Sequence, residues 1–123
     1  CRDLLTRFGL DDRARPSELS AGQMALLRVA LALAFGPELL LLDEPSAGLD
    51  ATMRRLLLHE IRAVAQDERR TVLLSTHLLD DVERVADSLL VLDRGQVVQA
   101  GPTDTVLTGD RTLAETLLAL GPR

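Results

Sequence analysis

A chain of 123 residues with a formal charge of -5 is long enough for one domain with a real core, and its hydrophobic fraction of 46% is ordinary for a globular protein. The negative balance repels phosphate-rich polymers, which excludes a nucleic-acid partner held by a broad basic face. Every basic residue is arginine and the only cysteine is Cys1, so an internal disulfide and a thiolate metal site are excluded and a reducing setting is expected.

The chain opens without Met and without a charged-then-apolar leader, so its start is expected to be a cut end and secretion is not indicated. The pattern predicts a short helix over Cys1 to Phe8, with Leu4, Leu5 and Phe8 on one face and Gly9 closing it. A polar loop over Asp11 to Glu18, with Pro16, comes next. Ser20 to Gln23, SAGQ, opens a long helix reaching about Phe35 and ended by Gly36-Pro37. The stretch from Met24 to Leu42 is apolar, but Arg28 and Gly36-Pro37-Glu38 cut it into pieces too short for the about 20 helical residues that cross a bilayer.

Leu39 to Leu42 is an apolar run without alternation, the pattern of a strand covered on both faces in a parallel sheet. Asp50 suits the cap of a second helix whose Met53, Leu57, Ile61 and Val64 recur at helical spacing before the charged stretch Asp67 to Arg70. Thr71 to Ser75 is another buried strand. His77 leads into a helix striped by Leu78, Val82 and Val85. Ser88 to Leu92 and Gln96 to Ala100 form a hairpin turned at Asp93-Arg94-Gly95, where Gly95 can take positive φ. Gly101-Pro102 breaks the pattern. Two short helices close the chain, near Thr103 to Leu107 and over Arg111 to Leu120, the second stopping at Gly121-Pro122. Strands alternating with helices imply an α/β fold with a mostly parallel sheet flanked by helices and a C-terminal β-hairpin.

In such sheets ligands sit beyond the carboxyl ends of the strands, where loops and helix starts converge. Asp43 and Glu44 stand at that end of the first strand and His77 at that end of the second. One carboxylate there can hold Mg²⁺ while its neighbour accepts a proton from an attacking water, the requirement of phosphoryl transfer. With Pro45 the same pair also suits a plain turn. Leu19 to Gln23 reads as a capping box through Ser20 and Gln23, and equally as an anion seat, because Ala21 and Gly22 leave N–H groups open at a helix start. His77 suits an ordinary loop or a hydrogen bond to a terminal phosphate, whereas His59, within a helix, reads as unremarkable. Asp50 caps a helix and could also contact a second copy, and Gly48 lets the preceding loop turn sharply.

The ordered set LSAGQ, LLLLDEP, SAGLD and STH resembles the ATP-binding cassette (ABC) family of ATPases over essentially the whole chain. Leu19 to Gln23 look like the signature motif, Leu39 to Glu44 like Walker B, Ser46 to Asp50 like the D-loop and His77 like the switch histidine. The resemblance implies a single partial P-loop NTPase domain of the ABC ATPase type over 1–123. Residues 1–36 would end its helical subdomain with the signature helix, and 37–123 would form the Walker B half of the catalytic core. It implies ATP and Mg²⁺ as cofactors, Asp43 as the metal residue, Glu44 as general base and His77 as γ-phosphate sensor. Leu19, Ser20, Ala21, Gly22, Gln23 and Asp50 would serve a nucleotide shared with a second, identical or different, nucleotide-binding subunit.

The resemblance further implies a membrane-spanning permease as partner and a place on the cytoplasmic face of the membrane. The stretch from Ser75 to Leu107 is similar to that of transporter subunits, particularly bacterial exporters of the ABC-2 type. The chain has no lysine and so no GxxxxGK[ST] loop, and the fragment alone is expected to be inactive. An apolar sheet edge is expected where absent strands would pair. Ala21 stands where the signature motif usually has glycine, and Met24-Ala25-Leu26 replaces a usually polar helix start. The alternatives are a soluble ABC-type ATPase of translation or DNA maintenance, or a non-catalytic interaction module.

Overall fold

Helix-spaced apolar residues of the two longest helices turn inward in the computed structural model, which describes residues 2–106. The helix read over Arg111 to Leu120, and the Leu107 end of the preceding one, lie outside those residues. The chain divides into two units, Cys1–His77 and Leu78–Arg123.

In the first unit, α1 (Arg2–Arg7) leads through a 3-10 turn (Pro16–Glu18) to α2 (Ala21–Ala34), β1 (Leu39–Asp43), α3 (Ala51–Ala65) and β2 (Thr71–Ser75). Strands β1 and β2 pair in parallel, from Leu39 opposite Thr71 to Asp43 opposite Ser75. The core gathers Leu26, Val29, Ala30 and Leu33 of α2, Leu57 and Ile61 of α3, and Leu40 of β1, with Phe8 and Leu10 closing one side. Gly36 adopts φ 62 just after α2, a left-handed stop that lets the chain turn into β1.

Strand β1 is not covered on both faces. Leu40 is buried, but Leu39, Leu41 and Leu73 are 56%, 63% and 64% exposed. The core lies on the side of Leu40, Leu42 and Val72, and no described residue covers the opposite leucines. An uninterrupted apolar run carries no alternation, so it does not say which face the chain itself packs.

Glu60 of α3 is buried, which would be costly for a lone carboxylate. Arg7 at the end of α1 meets it with two guanidinium nitrogens, Nε donating to Oε1 at 3.0 Å and Nη2 to Oε2. This hydrogen bonding raises the guanidinium pKa further above its ordinary value. After α3, Asp67 accepts from the Arg69 backbone N–H at 3.2 Å, and that bond, aided by the Arg69 side chain, lowers its pKa.

The second unit holds α4 (Leu79–Val85), β3 (Ser88–Asp93), β4 (Gln96–Pro102) and the single turn α5 (Thr103–Val106). Strands β3 and β4 pair antiparallel around Arg94 and Gly95, both at positive φ (48 and 78), the backbone of a tight primed turn. A bulge shifts the register between Val91 and Leu92. Thr103 ties α5 back, donating from Oγ1 to the Ala86 carbonyl at 2.8 Å and from its N–H to that of Asp87 at 3.0 Å.

Candidate functional site

The parallel register brings the two strand ends to one rim. Asp43 is the last residue of β1 and lies opposite Ser75, the last of β2. The Ser75 hydroxyl donates to Asp43 Oδ1. The next backbone N–H, of Glu44, donates both to the Ser75 carbonyl at 3.0 Å and to Ser75 Oγ at 3.2 Å. Glu44 then takes φ 45, a left-handed conformation that costs a residue with a Cβ about 1–2 kcal/mol.

That turn presents the Glu44 carboxylate to His77, with Oε1 2.8 Å from Nδ1. An ionised carboxylate only accepts, so Nδ1 carries a proton in this contact, and in the neutral ring Nε2 is an acceptor. The imidazole is largely exposed. The other carboxylate oxygen, Oε2, is buried with no hydrogen-bond partner among the described residues. A buried acceptor left unmatched suits an incoming donor such as a water molecule.

Loop geometry continues the site away from the rim. Ala47 N–H donates to the Glu44 carbonyl at 3.1 Å and Leu49 N–H to that of Ser46 at 3.2 Å, while Gly48 takes φ 74. Ser46 is buried. Asp50 caps α3, its Oδ1 accepting from Thr52 and Met53 N–H groups, each at 2.9 Å.

At the start of α2 the capping box forms in both directions: Gln23 N–H donates to Ser20 Oγ at 3.2 Å and Ser20 N–H to Gln23 Oε1 at 2.9 Å. Ser20 and Ala21 are exposed, and Leu19, Gly22 and Gln23 are half-buried. A Cβ on Gly22 would stand 3.2 Å from Met53 Sδ and 3.3 Å from Leu49 Cδ2, so the first turn of α2 lies close against the start of α3. Glycine at 22 therefore serves packing whatever else it serves.

The structure thus joins Asp43, Glu44 and His77 at one rim through Ser75, whose part sequence reasoning missed. A parallel pairing with Thr71 opposite Leu39 would have revealed it, but no local pattern encodes register. Among the described residues, Ser20 bonds with Gln23, and Asp50 with Thr52 and Met53, rather than with that rim. As a metal residue, Asp43 offers a hard carboxylate oxygen, and no cluster of three acidic, His or Cys ligands exists among the described residues. Such a sparse set suits Mg²⁺, which binds through one or two carboxylates and takes its other ligands from substrate phosphates and water.

A family model described as "AAA domain, putative AbiEii toxin, Type IV TA system" matches residues 6–79. The energy-coupling factor transporter ATP-binding protein EcfA2 of Enterococcus faecalis is 38% identical over 122 residues, covering 97% of this chain and 42% of that protein. The methionine import ATP-binding protein MetN 1 of Rhodococcus jostii is 41% identical over 107 residues, covering 85% of this chain and 32% of that protein. A solved ATP binding subunit of an ABC transporter superposes with a TM-score of 0.86 at 29% identity, over 98% of this chain and 52% of that one. The chain spans less than half the length of these curated relatives.

Proposed function

This chain belongs to the ATP-binding cassette ATPases, and from that premise we propose that it forms part of the nucleotide-binding subunit of a membrane transporter, where ATP hydrolysis drives a separate permease. The single observation that carries the reading is the 2.8 Å contact of Glu44 with His77 on the rim that also bears Asp43. Bound Mg²⁺ would neutralise charge developing on the phosphates.

The chain's own residues do the rest. Asp43 would hold the metal through its carboxylate. Glu44 takes a proton from the attacking water, its unmatched Oε2 being the acceptor suited to it. His77 holds Glu44 through Nδ1, and its other ring nitrogen would donate to the terminal phosphate when the ring carries both protons. Leu19, Ser20, Ala21, Gly22 and Gln23, with Asp50, face the nucleotide of a second nucleotide-binding subunit across a dimer interface. The exposed hydroxyl-led start of α2 supports this, since a 14-residue helix concentrates positive dipole there.

Catalysis needs the lysine loop that cradles phosphates, and this chain contains no lysine, so alone it should not turn ATP over. The name of the methionine relative supports uptake rather than the ABC-2-type export expected from the C-terminal stretch. The transporter names of the relatives support a peripheral place on the cytoplasmic face through the permease. Among the described residues no helix is long and apolar enough to cross a membrane. In the complete protein, Glu44→Gln should keep ATP binding and lower hydrolysis about 10²- to 10⁴-fold, the usual contribution of a general base. Steady-state turnover at the unsubstituted rate would remove Glu44 from that role.

A further inference from the structure

We propose that Ser75 is a positioning residue that sets the Asp43 carboxylate for its metal and the Glu44 backbone for its turn, an inference that rests on the nucleotide reading above. One hydroxyl touches both residues: Ser75 Oγ donates to Asp43 Oδ1 and accepts the Glu44 N–H at 3.2 Å. A hydroxyl carries one donor and two acceptor lone pairs, so it can do both at once; alanine can do neither.

The two bonds act on different freedoms. Asp43 is exposed at the end of β1, and an exposed carboxylate rotates freely unless something holds it. The Ser75 bond fixes Oδ1 and leaves Oδ2 outside that bond, available to a cation. Glu44 stands in a left-handed backbone that needs support, and its N–H is shared between the carbonyl and the hydroxyl of Ser75. Orientation of the metal residue and direction of the base therefore meet at one side chain of the neighbouring strand. Partners that orient a metal ligand commonly alter metal affinity about 10- to 100-fold when removed.

The test uses the complete protein and reads metal binding apart from turnover. Mn²⁺ replaces Mg²⁺, and its affinity in the presence of ADP is measured by electron paramagnetic resonance for the unsubstituted protein, Ser75→Ala and Ser75→Thr. Ser75→Ala should weaken Mn²⁺ binding about 10- to 100-fold, the range for an orienting partner, and raise the Mg²⁺ concentration at half-maximal hydrolysis in parallel. Metal-free ADP affinity should stay unchanged, and Ser75→Thr, which keeps the hydroxyl, should restore most of the loss. Should Ser75→Ala fail to fold, Ser75→Cys, with a poor donor of similar size, should show the same weakening. Unsubstituted Mn²⁺ affinity in the alanine or cysteine variant, or threonine as poor as alanine, would overturn the role of Ser75. Failure of the unsubstituted protein to bind ADP would instead overturn the nucleotide reading itself.

Discussion

Asp50 holds the start of α3 through one oxygen, which accepts the Thr52 and Met53 N–H groups. A cap of this kind is worth about 1 kcal/mol, so Asp50→Ala in the complete protein should lower unfolding free energy by that amount in urea titration. Asp50→Asn, which keeps an acceptor, should lose much less. This residue was legible in the sequence, as were the Ser20–Gln23 box and the sharp turn at Gly48, because each acts on backbone within three positions of itself. Ser75 and the left-handed Glu44 were not, since both depend on which strand lies alongside, 31 residues away in the chain. Glu60 was hidden for the same reason: nothing near it in the sequence announces Arg7 as its partner.

Helix α3 was read from the stripe Met53, Leu57, Ile61 and Val64, and the burial of Leu57, Leu58 and Ile61 agrees with an apolar face turned inward. Leu57 is completely enclosed. Leu57→Ala in the complete protein should therefore cost about 2–5 kcal/mol, combining lost transfer energy with a residual cavity, and thermal unfolding would register it. A tolerated alanine, with an unchanged midpoint, would show that the surrounding core closes over the gap. Strand β1 was legible as a strand but not in its covering, because four leucines in a row carry no alternation to say which face this chain itself packs. The hairpin turn at Arg94-Gly95 was legible from glycine; the bulge beside Val91 has no signature in side-chain type.

At the level of the whole molecule, the ordered motifs announced the family more surely than any one contact did, and the likeness covering 98% of the chain in a solved ATP binding subunit agrees with them. The proposed two-subunit arrangement belongs to this scale too. Ser20→Arg would place a long cation at the exposed start of α2, where the facing subunit's nucleotide is proposed to rest. In the complete protein carrying Glu44→Gln, ATP is expected to shift monomer to dimer in light scattering, and Ser20→Arg should abolish that shift. A normal shift would detach the α2 start from the subunit interface.

The left-handed backbone at Glu44 sets folding against chemistry at one position. Glycine would relax that φ freely, so improvement of heat tolerance alone would favour erasing the carboxylate that meets His77. On the proposed role of Glu44, any engineering programme for a hardier version of this molecule has to freeze that position before selection begins, or it will enrich robust proteins that no longer run.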